Sequence, residues 1–103
     1  MSEFRYLNFG QALDALHHGK KVQRDGWNGN GVWIVLVPGQ PEIELKPGNP
    51  YHAALNGTDT YGSYGQSHVT IKPHIDMRME DGEMQPGWNA SQADLLALDW
   101  RVV

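Results

Sequence analysis

The sequence predicts an α+β fold: a small single domain spanning 1–103, with a mainly antiparallel sheet, an N-terminal helix and a short C-terminal helix. Three observations carry this. An amphipathic stretch lies near the N-terminus, short β-branched and aromatic runs alternate with Gly, Pro and Asn turns, and a second capped helical turn lies near the C-terminus. A chain of 103 residues suits one core and is too short for two comfortable ones.

The first helix is predicted over residues 9–18. Asn8 can cap its free amides, Gln11 stands at the reciprocal capping-box position, and Leu7 precedes the cap as a staple. Phe9, Ala12, Leu13 and Leu16 follow the spacing of one helical face, and Gly19 is the natural left-handed stop. Residues 21–24 read as a short strand, 25–31 as a glycine-dense turn, and 32–37 as a strand stopped by Pro38. The apolar residues of that strand are consecutive, so both of its faces are expected to be covered, one of them by another subunit. From 39 to 67 the pattern dissolves into Pro, Gly, Asn and Tyr, and the reading is a long loop, either a binding loop or an insertion. Tyr51, Tyr61 and Tyr64 would let it close over a ligand.

Order returns at His68. Val69, Ile71, Ile75, Met77 and Met79 share one parity, with Pro73 placing a break or edge in the strand. Asp81 and Gly82 form a hairpin turn that sends the chain back through Met84 towards Trp88. Ser91 with Asp94 resembles a capping box opening a short helix through Leu95 and Leu96, and Trp100, Val102 and Val103 suit a final strand.

Composition removes several function classes. No apolar run approaches the roughly 20 residues of a membrane helix, and the N-terminus shows no signal core, so a cytoplasmic protein without a membrane partner is expected. The absence of cysteine excludes a disulfide framework, a thiolate zinc site and a cysteine nucleophile. Twelve acids stand against eight bases, a net charge of −4, which argues against a polynucleotide partner because phosphate contacts dominate that affinity.

Catalytic and metal signals are weak. His17 and His18 are helical neighbours whose side chains diverge by about 100°, and His52, His68 and His74 are isolated, so no metal and no cofactor are expected. There is no nucleophile elbow, phosphate loop or acid–base set, and no catalytic residue is assigned. The informative cluster is Arg24, Trp27, Asn28 and Trp33 with Trp88, Asn89, Ser91 and Gln92. An indole stacks on a base, an amide reads base edges or ribose hydroxyls, and a guanidinium holds phosphate. A carbohydrate platform would use the same groups. Trp100, among apolar residues, reads as core. Asp94 is explained equally well as a helix-start residue.

These same residues carry a family resemblance. Phe9, Gly10, Gln11, Ala12 and Leu13, leading to Gly19, Lys20, Lys21 and Val22 and then to Arg24, Asp25, Gly26, Trp27, Asn28 and Gly29, resemble the opening of the phage Thoeris anti-defence two family. The ending from Trp88 and Asn89 through Ser91, Gln92 and Asp94 to Asp99 and Trp100 is similar to that family's closing signature. The match covers roughly the first 38 and the last 30 residues; 39–67 aligns with nothing in it.

The resemblance implies a non-catalytic sponge in the cytoplasm of an infected bacterial cell. Such proteins capture cyclic ADP-ribose isomers such as gcADPR, made by TIR-domain enzymes, so that the Thoeris effector is never activated. Some members also hold cyclic dinucleotides in a separate pocket. They are homo-oligomers, typically tetramers, with pockets at subunit junctions. Carried onto this chain, the ligand-binding residues would be Trp27 and Trp88 for stacking, Arg24 for phosphate, Asn28 and Asn89 for polar contacts, and Ser91, Gln92 and Asp94 for ribose or base edges. The net negative charge is a mild objection, met by local positive charge from Arg24 and the helix start near Ser91. Two rival readings remain: an enzyme that degrades the same signal, and a carbohydrate-binding or phage structural module.

Overall fold

The computed structural model describes residues 5–27, 31–57 and 65–103. Among these the α+β expectation holds, with three helices, seven strands and only antiparallel pairings. The chain divides into two compact units, Met1–Val37 with His74–Val103, and Pro38–Pro73.

The first unit opens with α1 (Phe9–His17). The Asn8 side chain accepts from the Gln11 amide at 2.8 Å, and the Gln11 side chain accepts from the Asn8 amide at 2.9 Å. This reciprocal cap fixes where the helix starts. Gly19, at φ +80°, ends it in the left-handed conformation that costs a glycine nothing.

The helix lies on a five-stranded sheet of β1 (Val22–Arg24), β2 (Trp33–Val37), β5 (His74–Arg78), β6 (Met84–Gln85) and β7 (Trp100–Val102), in the order β6-β5-β2-β1-β7. The core is Ala12, Leu16, Val22, Ile34 and Trp100, with Leu36, Ile75 and Met77 packed against it. Register explains that set. Val22 pairs with Ile34 and Val102, Ile34 with Met77, and Leu36 with Ile75, so one parity of the sheet meets α1. The apolar run at 32–37 is therefore the central strand, with Ile34 and Leu36 inward and Trp33, Val35 and Val37 on the other face. The hairpin at Asp81 and Gly82 forms as expected, with Gly82 at φ +88° and the Met79 amide donating to the Glu83 carbonyl at 2.8 Å.

The last helix, α3 (Gln92–Leu96), starts at Ser91. The Asp94 amide donates to the Ser91 hydroxyl at 3.0 Å, and the Ser91 amide donates to the Asp94 carboxylate at 2.9 Å. The shorter acid thus closes the box, and Asp94 is buried.

The second unit corrects the expectation of a long loop over 39–67. It contains β3 (Gln40–Glu44), α2 (Pro50–Asn56) and β4 (His68–Ile71), with β3 and β4 paired as a two-stranded sheet. The strand escaped the sequence reading because it is irregular. Pro41 lies inside it, Glu42 has φ +51°, and the register shifts between Gln40 and Ile43, so no period-2 pattern survives. The helix escaped because it buries no residue and shows no apolar stripe. Its signals were nonetheless present: Asn49 caps it, Pro50 starts it, and Gly57 at φ +77° ends it. Tyr51 is exposed on α2, whereas Tyr61 and Tyr64 fall outside the described residues. Pro73 acts as the expected break, since β4 pairs with β3 in one sheet and β5 with β2 in the other. No helix among the described residues is long and apolar enough to cross a membrane.

Candidate functional site

The two sequence signatures, more than sixty residues apart, meet at one carboxylate. Asp94 Oδ2 is held by the Ser91 amide, which leaves Oδ1 facing β1. There it accepts from Arg24 Nη1 at 2.9 Å and from the Trp27 indole N–H at 3.3 Å. The Asp94 carbonyl accepts from the Trp100 indole N–H at 2.9 Å. Burial pushes the Asp94 carboxyl up, but hydrogen bonds from Ser91, Arg24 and Trp27 outweigh it and hold the group below the usual carboxylate range.

Arg24 reaches a second acid on the turn before β7. Its Nε donates to Asp99 Oδ1 at 3.0 Å, while Asp99 Oδ2 accepts from the Gly26 amide at 2.8 Å and the Asp99 carbonyl accepts from the Asp25 amide at 3.0 Å. The Asp99 carboxyl is also lowered: burial raises it, and the Arg24 bond, the Gly26 amide and the guanidinium charge more than reverse this. The same two acids, through their hydrogen bonds, raise Arg24 and keep it charged. A Cβ at Gly26 would lie 2.9 Å from Asp99 Oδ2 and 3.3 Å from Arg24 Nη2, so a larger residue there would have to displace the carboxylate that holds Arg24.

The aromatic residues form a second layer. Trp27 meets Trp100 edge-on at 5.1 Å and Trp88 at 6.2 Å, Trp88 meets Trp100 at 6.1 Å, and Phe9 adds contacts to both Trp88 and Trp100. Trp100 is fully buried, the core residue expected. Trp27 and Trp88 are half-buried members of the same cluster. Trp33 lies apart, with Lys21 Nζ 4.6 Å and Arg78 Cζ 6.0 Å from its ring centroid, so protein cations already face it.

Beside this network lies an open concavity of about 360 Å³, lined among the described residues by Gln23, Arg24, Asp25, Trp27, Gly31, Arg101 and Val103. Its volume falls within the range of small-molecule sites. The Tyr6 hydroxyl donates to Asp25 Oδ2 at 2.8 Å, and Arg101 Nε lies 4.0 Å from Asp25 Oδ1. Two guanidinium groups thus stand among the three carboxylates of Asp25, Asp94 and Asp99, which leaves the cluster one net negative charge.

Of the residues singled out in the sequence, Arg24, Trp27, Trp88, Ser91 and Asp94 come together. Asn89 and Gln92 are exposed around the start of α3, and Asn28 lies outside the described residues. Arg24 is engaged by two acids, so the positive charge expected of it is offset where it stands. Sequence reasoning missed Asp99, Gln23 and Arg101. Alternation could have found the last two: with Val22 and Trp100 inward, Gln23 and its register partner Arg101 must face the other side of the sheet.

The chain is similar to Thoeris anti-defense 2 of Bacillus phage SP01, 29% identical over 97 residues that cover 94% of this chain and 94% of that protein. The model of the Thoeris anti-defense 2-like domain matches residues 7–103, which takes in both signatures, both sides of the Asp94 network and the intervening second unit, and the chain therefore belongs to the Thoeris anti-defense 2-like family.

Proposed function

We propose that this protein binds and sequesters a cyclic nucleotide immune signal, a cyclic ADP-ribose isomer first and a cyclic dinucleotide second, without altering it chemically. Family membership supports a phage anti-defence role. The observation that carries the finer reading is the convergence of both signatures on Asp94 beside the concavity lined by Trp27. The network fixes an indole and charged groups, and the Val32 carbonyl fixes the Gln23 amide at 2.8 Å, around a space of ligand size before any ligand arrives, which suits tight binding with little ordering cost. In this reading Trp27 and Gln23 meet the base or ribose. Arg24 spends Nε and Nη1 on Asp99 and Asp94 and keeps Nη2 for a ligand. The protein acts in the host cytoplasm as a homo-oligomer, a tetramer by analogy with the family, with Val35 and Val37 offering apolar surface for subunit contact.

The test is capture and release. The protein is incubated with gcADPR, separated from free ligand, heat-denatured, and the released molecule analysed by mass spectrometry. Intact gcADPR is the expected result. An altered product would make the protein an enzyme, and failure to capture either gcADPR or a cyclic dinucleotide would leave the carbohydrate or structural reading. Light scattering on the same sample should give a mass well above one chain; a monomer at micromolar concentration would remove the subunit contact.

A further inference from the structure

The glycine-dense turn between β1 and β2 carries Trp27, and its two described ends are held by different parts of the sheet. The first end is fixed by Asp99, through the Asp25 and Gly26 amides. The second is fixed by a residue that lines no part of the concavity: Arg78 Nη1 donates to the Gly31 carbonyl at 2.6 Å. The fit is close. Gly31 has φ +79°, and a Cβ there would lie 2.5 Å from Arg78 Nη1. Arg78 is itself constrained, since it is the register partner of Trp33 with its guanidinium carbon 6.0 Å from that ring. A Cβ at Gly82, in the hairpin beyond β5, would lie 3.5 Å from Nη2, so the side chain runs between that hairpin and the turn.

We propose that Arg78 is a positioning residue for the ligand site: by holding the Gly31 carbonyl it keeps Gly31, which lines the concavity, in its binding-competent place. This rests on the reading of that concavity as the ligand site. A charge-assisted bond from a side chain whose guanidinium already lies over the Trp33 ring costs little further ordering, so it fixes Gly31 without help from ligand. Loss of the bond releases one end of the turn, and apparent affinity then falls by the fraction of molecules still in the competent form.

The experiment compares wild type, Arg78→Gln, Arg78→Lys, Gly31→Ala and the Arg78→Gln/Gly31→Ala double variant, each as the full chain. Amide hydrogen exchange of the free protein is read across residues 25–33, and gcADPR affinity is measured at two salt concentrations. Arg78→Gln should raise exchange in that segment and weaken gcADPR binding by about tenfold, mainly through slower association, with its salt dependence unchanged. Arg78→Lys, which keeps a donor, should recover part of both. The double variant should be less impaired than the two single losses combined, because both act on one contact. Unchanged exchange in Arg78→Gln overturns the proposal. So does weaker binding with a reduced salt dependence, which would make Arg78 a direct contact to the anion. If wild type binds no gcADPR, the proposed function fails on its own, and the exchange data still decide whether Arg78 holds the turn.

Discussion

Replacing Trp100 with Ala is expected to cost about 4 kcal/mol of folding stability, within the range for truncating a fully buried aromatic. Trp100 has no exposed surface, belongs to the core with Leu16, Val22 and Ile34, and touches Phe9, Trp27 and Trp88. Its indole N–H also donates to the Asp94 carbonyl, so truncation leaves a buried acceptor without its partner. Small domains hold only about 5–15 kcal/mol in total, and the variant should sit near its unfolding threshold. Urea unfolding measures this directly. Trp100→Phe, which keeps much of the ring and loses the N–H, should fall between the two. A loss below about 1 kcal/mol in Trp100→Ala would show that this core repacks freely, contrary to the geometry.

The second large effect lies at Asp94, and it depends on pH. Asp94→Ala removes the acceptor for Arg24, Trp27 and Ser91 together. Breaking a mostly buried ion pair costs about 3–5 kcal/mol; Asp99 still partners Arg24 and the site is not fully sealed, so about 3 kcal/mol is expected here. The sign of the pH effect follows from the lowered Asp94 and Asp99 carboxyls. A group whose folded value is depressed contributes stability that is complete above its unfolded value, near 4 for aspartate, and is lost as pH falls through the folded value. The wild-type unfolding free energy attributable to these two groups should therefore be level from pH 6 to pH 5 and drop below about pH 4. Asp94→Asn should begin lower and show a shallower acid limb, because one of the two linked protons is gone. An acid limb as steep as wild type would mean that Asp94 titrates alike in folded and unfolded chains.

Most of the fold was legible because local chemistry and tertiary packing agree. The α1 cap, the Gly19 stop, the central strand before Pro38, the hairpin at Asp81 and Gly82 and the Ser91 box all use side chains that act within four residues of themselves. The second unit was not legible, because β3 is irregular at Glu42 and α2 buries none of its residues, so neither leaves a hydrophobic period. The site was half legible. Arg24, Trp27 and Asp94 stand out by residue type, but their joining is tertiary. Nothing local says that Arg24 faces two acids seventy and more residues away, which changes it from a free cation into the centre of an ion-paired network. Arg78 was invisible for the same reason: its partner carbonyl is forty-seven residues upstream.

The register of β2 and β5 has a consequence for how this chain tolerates change. Val37 and His74 are already cross-strand partners, the last pair of that ladder. Everything from Pro38 to Pro73 is thus an excursion from the closed end of a hairpin, which two residues could in principle join. Loop closure depends only weakly on length. The excursion is accordingly expected to tolerate exchange, lengthening or trimming with the strand pairings of the five-stranded sheet kept in register.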